Sequence, residues 1–338
     1  MTPPIAATSR ADREQRLQQI RREAEETGKA PLRIEPRQTE DSTPTSSYGT
    51  PALKRPQWTV EVPLYFFVGG LAGAASLIAA VGSLSSADLR LIRHSRWLAA
   101  IGGIISPALL IADLGMPSRF LNMLRVFKIQ SPMSVGSWTL VAFSNSAAAT
   151  ALLGEFNQRR PNRTVNVLTE TSQIAAALSG LILSTYTGVL VGATAIPAWN
   201  EHVAALPIHF AASGTAAAAA ILELSGNDSP ALHRIALGAA AVETAMGASI
   251  ELSSSPGRKA LKSGLSGWAM RGAGLLSGPL PLALRMLSLR SKQRKSGLRS
   301  AAAISSLAGS LLTRWAWVHA GKLSAADPSV PLQLSGQK

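Results

Sequence analysis

From Trp58 onward the chain is dominated by long apolar stretches, each close to the roughly 20 residues that a helix needs to cross about 30 Å of hydrocarbon. About eight are read, from Val62 to Leu84, Trp97 to Asp113, Val135 to Glu155, Ser172 to Ile196, His202 to Leu224, Leu232 to Leu252, Trp268 to Leu289, and Leu298 to Ala320. Between them lie polar turn signals such as Ser85-Ser86-Ala87-Asp88, Asn157 to Arg163, Ser225 to Pro230 and Arg290 to Lys295, which read as loops. Small residues fill the stretches, for instance Gly69-Gly70-Leu71-Ala72-Gly73 and the alanines at 216–220. Lipid gives helices no hydrophobic reason to associate, so close backbone approach through small side chains has to hold them together. The expectation is an all-α membrane protein of about eight transmembrane helices in a compact bundle. A soluble helical protein would carry about a quarter of its residues as charges, whereas this chain has 15%.

Residues 1–57 have a different texture, rich in Arg, Glu, Gln, Thr, Ser and Pro, and bury too little apolar surface to offset the entropy of ordering. They predict a disordered polar N-terminal tail, with a short helix over Arg10 to Glu26 where charges alternate in sign. No apolar segment follows Met1, so no cleaved secretory signal is expected. The transmembrane domain is read over 58–327 and a short C-terminal tail over 328–338.

The formal charge of +14 hardly comes from the tail, which holds ten Lys/Arg against eight Asp/Glu. The excess sits in short segments between apolar stretches, where basic side chains meet headgroups of the lipid bilayer. No basic stripe with exposed aromatics points to nucleic acid. The two sides share the basic residues almost evenly, which tips the positive-inside rule only slightly toward termini outside. With no cysteine, the chain alone can form no disulfide, thiolate zinc site or iron–sulfur cluster. Any redox role must be borrowed from a partner or a diffusible ligand.

A few side chains stand out against this background. Asp113 closes the second stretch and precedes a segment, Leu114 to Lys128, in which Phe120, Leu121, Leu124 and Phe127 share a helical face. This short helix reads either as an interfacial anchor or as a lid over a cleft, with Asp113 paired to Arg119 or Arg125. Tyr186 puts a phenol inside the fourth stretch, where its hydroxyl needs a partner. Tyr65 can lie at a similar depth, because the first and fourth helices run in opposite directions. Glu243 falls near the middle of the sixth stretch, where a charged carboxylate costs roughly 2.5–3.5 kcal/mol, so it is either a structural acid, neutral or paired, or part of a proton relay. Glu223 and Glu251 sit nearer helix ends. Bis-histidine haem ligation needs imidazoles at matching depth, and His209 and His233 do not match.

The segments Pro63 to Gly73, Asp113 to Lys128 continuing into Ser131 to Trp138, Tyr186 to Trp199, and Arg314 to Lys322 resemble the NrfD/PsrC family. These are the integral membrane subunits of polysulfide reductase, nitrite reductase and related respiratory complexes. The resemblance implies two stacked four-helix bundles with no haem or metal bound by this chain. It also implies a quinone site in the first bundle, near the face that meets a ferredoxin-like 4Fe-4S subunit. Such subunits exchange electrons between menaquinone or ubiquinone and that partner, which relays them to a molybdopterin or multi-haem cytochrome catalytic subunit in the cell inner membrane. The tyrosine that contacts quinone in the family matches Tyr186. Val62 and Tyr65 stand where the family has an asparagine and a histidine. The candidate quinone contacts are therefore Tyr186, Tyr65, Asp113 and Arg119, and the candidate proton-transfer groups are Glu243 and Glu61.

Two other readings stay open. A proton-coupled or other multi-pass transporter would account for Glu243, but should show broken helices in symmetric halves, and no such internal pairing is found. A purely structural anchor would need no tyrosine or acid at matched depth.

Overall fold

The computed structural model describes residues 53, 56–85, 87–252, 262, 264–290 and 295–326. The expected tail other than Leu53, Pro56 and Gln57, the helix expected over Arg10 to Glu26, and the C-terminal tail lie outside the described residues. Among those described, the regular structure is helical, without strands.

Among the described residues eleven helices follow one another: α1 Glu61–Leu84, α2 Leu89–Leu114, α3 Pro117–Met123, α4 Pro132–Arg159, α5 Arg163–Gly192, α6 Pro197–Asn200, α7 Ala205–Leu224, α8 Pro230–Leu252, α9 Gly264–Ser277, α10 Pro279–Arg290 and α11 Lys295–Ala326. Several begin earlier than hydrophobicity alone suggests, because capping side chains pull polar residues into the first turns. Asp88 accepts from the Arg90 N–H at 3.0 Å to start α2, and Asn162 accepts from the Thr164 N–H at 2.8 Å to start α5. α2 ends at Gly115, whose φ of 71° suits a residue without a Cβ, and Pro117 opens α3 two residues later.

Among the described residues, six helical segments are long and apolar enough to cross a membrane: α1, α2, α5, α7, α8 and the stretch Ser266–Arg290. The chain is thus a multi-pass membrane protein. Of the eight expected, α4 and α11 fall outside this set although they run for 28 and 32 residues. α11 carries Lys295, Arg299, Arg314 and Lys322, α4 ends with Glu155 and Arg159, and hydroxyls of both helices bond helix backbone. Ser137 Oγ donates to Met133 O at 2.8 Å in α4, and Ser305 Oγ of α11 donates to Leu276 O at 2.7 Å. The seventh expected helix is interrupted at Gly278, because Pro279 has no N–H with which to continue the ladder.

α1, α2, α4 and α5 pack in a ring as one four-helix bundle, and α7, α8, the α9–α10 pair and α11 form a second. α7 joins them by packing on α1 and α5, and α11 also touches α1. The join depends on backbone contact: a Cβ at Gly214 of α7 would lie 2.8 Å from the Gly70 carbonyl of α1. Aromatic rings close one end. Trp58, ahead of α1, stacks on Trp199 of α6 with centroids 5.1 Å apart, and Lys322 of α11 donates to the Trp58 carbonyl at 2.5 Å.

Candidate functional site

The first bundle brings Tyr65 and Tyr186 together. Tyr65 lies one turn into α1 and Tyr186 two turns before the end of α5, and these antiparallel helices pack closely, so both phenols occupy the same end of the bundle. They are 3% and 6% exposed and near enough to interact electrostatically. The Tyr186 ring lies directly on the backbone of Gly136 in the first turns of α4, where a Cβ would overlap it. Close by, Ser106 Oγ and the Tyr65 ring both approach Gly69. Ser106 Oγ and Thr187 Oγ1 are buried without a hydrogen-bond partner, and among the described residues neither phenol makes a hydrogen bond. Uncommitted hydroxyls in an apolar bundle are costly unless something else accepts from them.

Asp113 lies at the same end, on the last turn of α2. Its Oδ1 accepts from both the N–H (3.1 Å) and the hydroxyl (2.5 Å) of Thr59, which anchors the segment before α1. The expected pairing of Asp113 with Arg119 or Arg125 is not formed: Arg119 is exposed and donates instead to the carbonyl of Leu114, the last residue of α2, at 3.1 Å. Glu61 begins α1 two residues after Thr59 and is half-buried. The helix expected beyond Asp113 is only Pro117–Met123. Its Phe120 is buried, while Leu121 and Phe127 project outward.

A second polar cluster lies within the second bundle. Glu243 of α8 is 1% exposed, with Oε1 3.4 Å from His209 Nδ1 of α7, and Arg314 of α11 acts on it electrostatically. Arg314 is wholly buried, donates from Nη2 to the Phe210 carbonyl at 2.7 Å, and lies 4.2 Å above the Phe210 ring. Both Glu243 oxygens, His209 Nδ1, and Nε and Nη1 of Arg314 remain buried without hydrogen-bond partners. His209 and Glu243 line a cavity of about 390 Å³, otherwise walled largely by apolar side chains of α8 and α9.

Arg314 is a residue that sequence reasoning misplaced. Counted by position it belongs with the basic residues facing headgroups, yet the structure buries it, and buries Arg285 to 4% exposure. A cation between aromatic residues in an apolar helix was the available signal. Among the described residues no group of three or more His, Asp or Glu is placed to hold a metal ion.

Compared with known proteins, residues 44–326 match the sequence model of a family described as polysulfide reductase, of the NrfD type. No curated protein matches the chain.

Proposed function

As the chain belongs to the NrfD-type polysulfide reductase family, we propose that it is the quinone-reactive membrane subunit of a respiratory oxidoreductase complex. In this role it exchanges electrons between membrane menaquinone or ubiquinone and a ferredoxin-like 4Fe-4S partner, which serves a molybdopterin or multi-haem catalytic subunit. The inner membrane is its place of action. The observation that carries this reading is the pair of buried phenols, Tyr65 and Tyr186, brought to one end of one bundle beside the unpartnered hydroxyls of Ser106 and Thr187.

The residues present suit a quinone head. It offers two carbonyl oxygens as acceptors and supplies the redox chemistry: two electrons and two protons convert it to the quinol. Tyr186, backed by Gly136, and Tyr65 donate hydrogen bonds to those oxygens, each for about 1 kcal/mol net. The bundle walls, including Leu183 against Gly69, exclude water. Asp113, held by Thr59 at the same end, and Glu61 on the first turn of α1 pass protons to and from the aqueous side. Arg119, on α3 beyond Asp113, places positive charge at the mouth. Glu243, with His209 and Arg314, supports a further role in proton transfer through the second bundle.

The test uses the complex purified in mild detergent. Tyr186→Phe and Tyr65→Phe each remove one hydroxyl and keep the ring. Each is expected to lower the quinol oxidation rate about tenfold or more at unchanged assembly, because hydrogen bonds that strengthen as charge develops are worth more than their ground-state value. Wild-type rates in both variants would show that the phenols do not form the site.

A further inference from the structure

At the other end of the second bundle the helix termini enclose a different site. The loop after α7, the start of α8, the end of α10 and the start of α11 surround a cavity of about 370 Å³. We propose that this cleft binds the phosphodiester headgroup of an anionic phospholipid, with the acyl chains lying along α8 and α10.

The charges around the cleft are unevenly committed. Arg285 Nη1 donates to Glu223 Oε1 at 2.7 Å, and the same oxygen lies 2.8 Å from His233 Nδ1. Arg299 Nη1 meets Asp228 Oδ1 at 2.7 Å, with His233 Nε2 at 2.5 Å from that oxygen. Each of the two acids is thus met by an arginine and by His233. Among the described residues, Arg234 on the cleft wall has one hydrogen-bond acceptor, its own Pro230 carbonyl, 3.3 Å from Nε. Arg285, 4% exposed, lines the cleft with Nε and Nη2 buried and unpartnered. Arg234 and the unpartnered nitrogens of Arg285, beside the N-terminal turn of the 23-residue α8, suit a phosphodiester anion.

The apolar side of the cleft selects a lipid over free phosphate. Leu237 and Leu289 complete its lining, and Met286, Leu287 and Val242 on the same two helices are exposed. A basic head above an apolar wall, at the level where transmembrane helices end, is the layout that retains an anionic lipid. Arg90, Arg160 and Arg163 stand at helix ends on the same face, at the level of the headgroups.

The full chain, delipidated in uncharged detergent, would be titrated with phosphatidylglycerol, phosphatidylcholine or inorganic phosphate and followed by native mass spectrometry and thermal unfolding. Phosphatidylglycerol is expected to stay bound and to raise the melting temperature, and the other two to do neither. Arg234→Gln should weaken phosphatidylglycerol binding about fivefold, the ratio that ~1 kcal/mol per basic residue corresponds to. Arg234→Lys should retain most of the affinity, and Arg160→Gln, on the same face outside the cleft, all of it. Equal binding of phosphatidylcholine, equal stabilisation by inorganic phosphate, or wild-type affinity in a folded Arg234→Gln protein would each overturn the proposal.

Discussion

Between α5 and α7, outside the apolar spans, His202 is 7% exposed and its Nδ1 lies 3.2 Å from the Ala198 carbonyl. Burial holds the imidazole below its usual range, and the Ala198 carbonyl and Glu201 offset this only in part. The folded chain therefore keeps His202 neutral where the unfolded chain, near the ordinary value of about 6.5, takes up a proton. The stability this group contributes is full above about pH 6.5 and declines as the pH falls below it. The melting temperature of the wild-type chain in detergent should drop more between pH 7.5 and pH 5.5 than that of His202→Gln. Identical pH profiles would locate the sensitivity elsewhere. At this scale the sequence is uneven evidence. Tyr65 and Tyr186 could be matched because antiparallel helices share depth by residue count. The Asp113–Thr59 bond could not, because it joins a helix end to an irregular segment 54 residues away. Arg285 and Arg314 were misjudged because linear position does not tell whether a guanidinium turns toward lipid headgroups or toward the bundle.

Among the elements, α4 and α5 meet where one glycine admits one ring. Gly136 sits in the first turns of α4, capped by Ser131, whose Oγ accepts from the Ser134 N–H at 3.4 Å. A methyl there would overlap the Tyr186 ring, so Gly136→Ala must displace either the ring or the helix. Overpacking of this kind costs about 1–3 kcal/mol. Removing the ring should relieve it, so Gly136→Ala combined with Tyr186→Ala is expected to be less destabilised than the two single changes added together. Thermal unfolding of the four proteins forms the double-mutant cycle, and strict additivity would show that ring and glycine are not in contact. The helices themselves were legible from apolar run length, with α1, α7 and α8 close to the expected bounds. The starts of α2 and α5 were not, because Asp88 and Asn162 cap polar turns that a hydropathy reading assigns to loops. The seventh expected helix reads as continuous by hydropathy, and only Pro279 after Gly278 marks its break.

In the molecule as a whole, the two bundles carry different chemistry. The first offers neutral hydroxyls, and the second buries an acid, an imidazole and a guanidinium that an apolar interior tolerates only when they serve one another. The bundles are not independent: Arg314 lies against Gly70 of α1, four residues beyond Phe66 and close to the α1–α7 backbone contact. A proton path through the second bundle would thus share a wall with the bundle proposed to react with quinone. Glu243→Gln keeps the shape of the side chain and removes the group that gains and loses the proton. In complex reconstituted into liposomes, the quinol oxidation rate should stay within about twofold of wild type, since Glu243 lies outside the first bundle. Proton translocation per electron should fall severalfold. An unchanged proton-to-electron ratio would make Glu243 a structural counter-charge for Arg314, and Glu243→Gln should then show its main effect as lost thermal stability, the cost of leaving a buried guanidinium without its acid.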